Sequence, residues 1–147
     1  MRVVVPREIK EGEKRVALVP DVINKLTRLG LEVVVEAGAG VLSQATDADF
    51  SAAGATIKQG DALAEADVVL SVQPLTPKQM ATLKKGAITI SFLSPVTAVD
   101  SIDAAAAAGV TAFSLELVPR ISRAQSMDIV LQQRQVVAEA ISLPWLH

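Results

Sequence analysis

The sequence predicts an open α/β fold, a mostly parallel sheet with helices on both faces. Three observations lead there. Short runs such as Val3-Val4-Val5, Val33-Val34-Val35 and Val68-Val69-Leu70 are continuously apolar and largely β-branched, as befits strands buried on both sides. Between them lie segments with helical spacing or helix-start signals. The connections are short and punctuated by Gly30, Gly54, Gly86 and Gly109, so successive strands are joined through helices. The recurring unit is strand, turn, helix, glycine, strand, without an exact repeat. Strand order does not follow from this pattern.

The elements follow in order. Residues 2–5 form the first strand, stopped by Pro6. Residues 7–15 are a dense charge run. It reads either as an exposed loop or as a place where Arg7 or Arg15 stands beyond a strand's C-terminal end, where open α/β sheets bind ligands. A helix is expected over 21–29, with Val22, Ile23, Leu26 and Leu29 on one face, Pro20 at its start and Gly30 at its end. Residues 31–36 form a strand. Gly38-Ala39-Gly40 makes a side-chain-poor turn that either underlies a ligand or lets backbone pass closely. It is not a GxGxxG fingerprint.

A helix over 46–53 carries Thr46 as cap and Asp49 at N3. Residues 55–57 are a minimal strand, 61–65 about one helical turn, and 67–72 the next buried strand. Thr76-Pro77 opens a helix through Met80 and Leu83 to Lys85. Residues 87–92 are a strand. Thr97 caps a helix with Asp100 at N3 and the alanine run 104–108 inside. Gly109 ends it, and 110–114 return as a strand. Beyond it, Ser122 and Gln125 have capping-box spacing. Arg120 and Arg123 stand near the N–H groups of that expected helix start. This stretch reads as a well-capped connection with a solvated charged face, or as a loop holding an anionic or amide-bearing ligand.

Composition narrows the chemistry. The chain has 147 residues, enough for one domain with a sizeable core. Aromatics are confined to Phe50, Phe92, Phe113 and Trp145, which suits close-packed layers of small aliphatic side chains. A formal charge of -2 gives no reason to expect nucleic acid. The absence of cysteine excludes disulfides and thiol nucleophiles. His147 is the single histidine and lies at the terminus, so no metal site is expected. Serines without a histidine or cysteine partner make no triad, and the aspartates are dispersed, so an unaided hydrolase is disfavoured. The apolar run after Met1-Arg2 is too short for a signal peptide, and no segment reads as a membrane span.

Four motifs occur together in order: Pro6-Arg7-Glu8; Glu13-x-Arg15-Val16-Ala17; Glu36-x-Gly38-Ala39-Gly40; and Pro119-Arg120-Ile121-Ser122-Arg123-Ala124-Gln125-Ser126-Met127-Asp128. Together they strongly resemble the N-terminal lobe of the alpha subunit of proton-translocating NAD(P) transhydrogenase, with alanine dehydrogenase as the more distant relative. The last motif is much the more specific to transhydrogenase. The resemblance covers roughly residues 1–128. It implies a flavodoxin-like or Rossmann-like lobe without the glycine fingerprint. It also implies that Arg120, Gln125 and Asp128 face the nicotinamide of NAD(H), orient its carboxamide and hold the ring for direct hydride transfer. That suits their chemistry: arginine and glutamine donate to an amide oxygen, and aspartate accepts from an amide or anchors arginine. Arg15 matches the arginine that binds the substrate carboxylate in the alanine dehydrogenases.

Two departures weaken an alanine dehydrogenase reading. The catalytic lysine region corresponds to Ser71-Val72-Gln73-Pro74, without lysine. The active-site histidine region corresponds to Phe92-Leu93-Ser94-Pro95, with serine instead. The end of the chain also departs. Residues 129–141 carry heavier apolar positions than the family's alanine- and glycine-containing crossing helix, and Pro144 would stop a helix.

The resemblance therefore sets several expectations. Residues 1–128 are the lobe, and 129–147 are an atypical helix and tail. The Rossmann NAD-binding lobe is missing from this truncated chain. NAD(H) belongs to the assembled component and NADP(H) to a partner component, with no metal and no nucleic acid. The complete protein is a homodimer, cytoplasmic and peripheral to the inner membrane through a membrane component. Two other readings stay open: a non-catalytic binding or assembly module, and an alanine dehydrogenase-like fragment.

Overall fold

A computed structural model describes residues 1–118 of the chain. Strands β1 (Arg2–Val5), β2 (Glu32–Glu36), β3 (Thr56–Lys58), β4 (Val68–Leu70), β5 (Ile88–Ser91) and β6 (Thr111–Ser114) make one sheet in the order β3-β2-β1-β4-β5-β6. Every neighbouring pair is parallel, with Val3 opposite Val33 on one side and Val68 on the other. This confirms the expected open α/β architecture. It adds the strand order, which the spacing of elements left open.

The valine runs explain why both faces are covered. Side chains alternate along a strand, so a run of three valines feeds two cores. Val3, Val5, Val33, Val35, Val68 and Leu70 pack with Val22, Ile23 and Leu26 of α1 (Pro20–Arg28) and Phe50 of α2 (Asp47–Ala52). Val4, Val34 and Val69 point the other way. They meet Met80 of α3 (Pro77–Thr82), Leu83 just past it and Ala105 of α4 (Val99–Ala108). The chain crosses between faces after β3 through a short 3-10 turn, Leu63–Glu65.

Helix ends follow a common scheme. After α1, Gly30 N–H donates to the Thr27 carbonyl at 3.0 Å and Leu31 N–H to the Leu26 carbonyl at 3.2 Å. With Gly30 at φ +79°, this is a Schellman motif, in which the residue after the glycine packs back on the helix. The same pair of bonds closes α2 at Gly54 and α4 at Gly109. It corrects one expectation. Leu29 is the exposed C-cap residue, and Leu31 takes the buried place.

Caps divide as well. Thr46–Asp49 and Thr76–Gln79 form reciprocal capping boxes. Thr97 does not cap α4, whose N-cap is Ala98 without a side-chain bond. Instead the Thr97 hydroxyl donates to the Ser94 carbonyl at 3.2 Å, a local turn that competes with the cap. The helix begun at Thr76-Pro77 ends at Thr82 rather than Lys85. Leu83 is already extended there, with ψ 145°.

Candidate functional site

Strand order creates the site. The chain leaves β1 for the α1 face and leaves β4 for the α3 face, so β1 and β4 flank the topological switch point. Ligands of open α/β sheets bind outside the strand C-termini at such a point. Here the strand ends are followed by residues 6–15, 38–40, 71–73 and 92–94.

The charge run lies on this edge, and its charges are sorted. Arg7 donates its N–H to Glu36 at the end of β2, at 2.9 Å. Glu8 turns inward, and its carboxylate accepts the N–H of Val72 at 2.6 Å and of Gln73 at 3.2 Å. Burial pushes the Glu8 carboxyl above its ordinary range, while those two N–H groups pull it back down. Glu13 accepts from Arg15 at 2.7 Å through Nε and 2.6 Å through Nη2, a two-point fork. Its side chain is only 7% exposed, against 56% for Arg15. The Arg15 hydrogen bonds hold the Glu13 carboxyl down at about 2, and the Glu13 carboxylate raises Arg15 in return.

Gln73 connects the pieces. Its side-chain oxygen accepts from Lys10 Nζ at 3.1 Å, and its amide nitrogen donates to Glu13 at 2.6 Å. The Arg15 guanidinium carbon lies 5.8 Å from the centre of the Phe92 ring, within cation–π range. The loop from β1 is thus tied to the ends of β2 and β4 and stacked on the end of β5.

Two clefts open along this edge. One of about 510 Å³ is lined by Arg7, Glu8, Glu13, Lys14, Arg15, Gly38 and Ala39, with Ile9, Val41 and Leu42 as an apolar border. The other, about 320 Å³, lies against Pro6, Lys10, Ser71, Gln73, Thr76 and Gln79. Both are of ligand-binding size. Gly40 shapes the floor of the first. A Cβ there would come within 2.5 Å of the Ala45 carbonyl oxygen and of Phe50, so close backbone passage accounts for this glycine.

Arg15 and Arg7 therefore stand on the edge expected for them. The run is part exposed loop and part buried network, because Glu8 and Glu13 point inward. Arg120, Gln125 and Asp128 lie outside the described residues. The chain reaches Val118 through a 3-10 turn, Leu115–Leu117, that follows β6. There Glu116 accepts the N–H of Leu93 at 3.1 Å and that of Ser94. The stretch that begins at Val118 thus leaves from the same edge as Arg15 and Gln73.

Sequence reasoning missed Glu8, Lys10 and Gln73 as partners. A glutamate two residues past a strand-ending proline was a signal for Glu8. Lys10 and Gln73 are 63 residues apart, and nothing local pairs them. Among the described residues no cluster of histidine, cysteine or carboxylate has metal-binding geometry. No helix there is long and apolar enough to cross a membrane.

Comparison with known proteins fits this architecture. The first of the separately encoded portions of NAD(P) transhydrogenase subunit alpha of Rhodospirillum rubrum is 45% identical over 140 residues, which is 90% of this chain and 36% of that protein. NAD(P) transhydrogenase subunit alpha of Cereibacter sphaeroides is 38% identical over 87% of this chain and 25% of its own length. The crystal structure of transhydrogenase from Sinorhizobium meliloti superposes with a TM-score of 0.85 at 38% identity, covering 88% of this chain and 39% of the other. Alanine dehydrogenase is more distant. That of Mycobacterium tuberculosis is 39% identical over 120 residues, 80% of this chain and 32% of that protein. A solved L-alanine dehydrogenase has a TM-score of 0.77 at 27% identity, covering 88% of this chain and 37% of the other. The chain spans about a third of the length of the transhydrogenase relative from Rhodospirillum rubrum. A family model described as alanine dehydrogenase/PNT, N-terminal domain, matches residues 4–137, and to that family the chain belongs.

Proposed function

We propose that this chain is the N-terminal lobe of an NAD(P) transhydrogenase alpha subunit and acts in hydride transfer between NAD(H) and NADP(H) once assembled. The observation that carries this reading is the switch-point edge itself. Where alanine dehydrogenase chemistry calls for a lysine and a histidine, the chain presents Gln73 and Ser94. Gln73 is engaged by Lys10 and Glu13, and the Ser94 N–H is held by Glu116. Neither side chain titrates near neutral pH. Direct hydride transfer asks for orientation and exclusion of water rather than for an acid or base. The larger cleft, with an apolar border of Ile9, Val41 and Leu42 beside Arg15, fits a flat, amide-bearing ring.

In this reading NAD(H) supplies the transferable hydride, and the lobe supplies orientation. Arg120 and Gln125 donate to the carboxamide oxygen, while Asp128 accepts from the amide or anchors Arg120. Arg15 has N–H donors beyond the two that Glu13 uses, so it serves as a lower-ranked contact for an anionic group. The lobe is residues 1–128, and 129–147 lead onward; the family match runs past that boundary to residue 137. The partners are a Rossmann lobe that holds most of NAD(H), an NADP(H)-binding component and a membrane component. They hold the assembly, a homodimer, at the cytoplasmic side of the inner membrane. The isolated chain is not expected to be active.

The test is reconstitution with the missing lobe and the NADP(H)-binding component. Hydride exchange between nicotinamide nucleotides is expected to return, and Gln125→Ala should lower it at least about tenfold, the scale of one lost orienting contact. An active, folded complex indifferent to Gln125→Ala would overturn the assigned role. Alanine-dependent NADH production by the same complex would favour the alanine dehydrogenase reading instead. Isothermal titration separates the assembly-module reading. Tight stoichiometric NADH binding by this chain alone would contradict the division of labour between lobes.

A further inference from the structure

Glu8 belongs to none of the roles above, yet it occupies the centre of the switch point. β1 stops at Val5 and continues with Pro6, while the chain after β4 runs on through Ser71, Val72 and Gln73. Ser71 N–H donates to the Ile90 carbonyl at 3.2 Å, and the Val72 carbonyl accepts from Phe92 N–H at 3.1 Å. Those bonds serve the β5 side. The N–H groups of Val72 and Gln73 go to Glu8 instead. A single carboxylate can satisfy two such donors because its oxygens offer about four lone-pair sites. It thus stands in for main-chain acceptors where the β1–β4 ladder has ended.

We propose that Glu8 is a positioning residue: by holding the Val72–Gln73 backbone it aims the Gln73 side chain at Glu13 and so sets where Arg15 presents its guanidinium. The chain of contacts is continuous. Glu8 holds the Gln73 backbone, the Gln73 amide holds Glu13, and Glu13 forks Arg15. The charges facing Glu8 are Glu13 and Arg15 from its own loop. Arg7 and Lys10 also line the adjoining clefts, and Glu36 anchors the loop from the end of β2. From the end of β4 the groups in contact are the two N–H donors. Protonation of Glu8 removes one acceptor oxygen and loosens the arrangement. The midpoint should lie above that of an exposed glutamate, since burial outweighs the hydrogen bonds. This holds whichever reaction the assembled protein performs, so its failure is distinguishable from failure of the proposed function.

The experiment is a pH titration of the full chain by heteronuclear NMR, with amide hydrogen exchange on wild type and Glu8→Gln. In the wild type the Val72 and Gln73 amide shifts should follow one midpoint, that of the Glu8 carboxyl carbon, and the Arg15 Nε–H resonance should move with it. In Glu8→Gln that step should vanish. Exchange at Val72 and Gln73 should rise about tenfold or more, with Val69 and Ile90 unchanged. The proposal is overturned if the two amides titrate with Glu13 rather than Glu8, or if Arg15 does not respond to the Glu8 step. It is also overturned if exchange in Glu8→Gln rises uniformly across the sheet. Should Glu8→Gln fail to fold, the wild-type titration decides alone.

Discussion

Glu13 shows how one residue ties stability to pH. Its carboxyl is free to titrate normally in the unfolded chain and is held at about 2 in the fold, chiefly by hydrogen bonds from Arg15. A depressed carboxylate contributes stability that is fully present above the unfolded value and disappears as pH falls through the folded one. The window therefore runs from about 4.5 down to about 2. Arg15 is more than half exposed, so solvent screening reduces the pair to about 1 kcal/mol. Glu13→Gln should thus unfold more easily than wild type at neutral pH, in urea melts followed by circular dichroism. The gap should close as pH approaches 2. A constant gap across that range would mean that the Glu13 contribution is packing rather than charge. Glu8 runs the opposite way. Burial raises it, so its own linkage term favours the fold at low pH and is lost as pH rises through the raised value.

At the level of elements, the helices are held by different means at their two ends. The Schellman closures at Gly30, Gly54 and Gly109 are alike, each followed by a buried apolar residue: Leu31, Ala55 and Val110. The starts are not alike. Thr46 and Thr76 accept N3 N–H groups at 3.2 Å and 3.3 Å, whereas Thr97 bonds back to Ser94. Thr46→Ala and Thr76→Ala should each cost about 1 kcal/mol, the usual worth of a threonine cap. Thr97→Ala should cost less than about 0.5 kcal/mol, as an exposed substitution away from a cap does. Urea denaturation of the three variants checks this, and an equal loss at Thr97 would contradict the assigned turn. The three positions look the same in sequence, each a threonine three residues before an aspartate or glutamine. What separates them is the positive φ of Ser94, 48°. Together with the Glu116 bonds it builds a turn that uses the Thr97 hydroxyl.

For the whole molecule, the sheet order makes a stability map. β1 is central, with β2 on one side and β4 on the other, and Val3, Val4 and Val5 are fully buried. Strands β3 and β6 are edges with one partner each. Opening of an edge exposes one ladder, while opening of the centre requires the whole sheet to separate. Native-state hydrogen exchange should therefore be slowest at Val4 and Val34 and faster in β3 and β6. Equal protection across the six strands would contradict a sheet that frays from its edges. The same topology explains why the site sits where it does. The two connections leaving the middle of the sheet go to opposite faces, and the crevice between them collects the β1 loop.

What was readable in the sequence was local. Valine runs, proline stops, glycine closures and two of three capping boxes are properties of neighbouring residues, set by side-chain period, backbone dihedral preference and hydrogen bonds a few positions apart. They determined the elements and the parallel α/β class. The motifs around Arg15, and the absence of lysine and histidine from the β4 and β5 ends, determined the family. Strand order, the pairing of Lys10 with Gln73, and the inward turn of Glu8 and Glu13 were decided only by the tertiary structure. These contacts join positions about 60 residues apart. A charged residue in a loop carries no local sign of whether it will meet water or a strand end. The packing of the sheet supplies that, by leaving N–H groups beyond β4 that only a residue from the β1 loop is placed to accept.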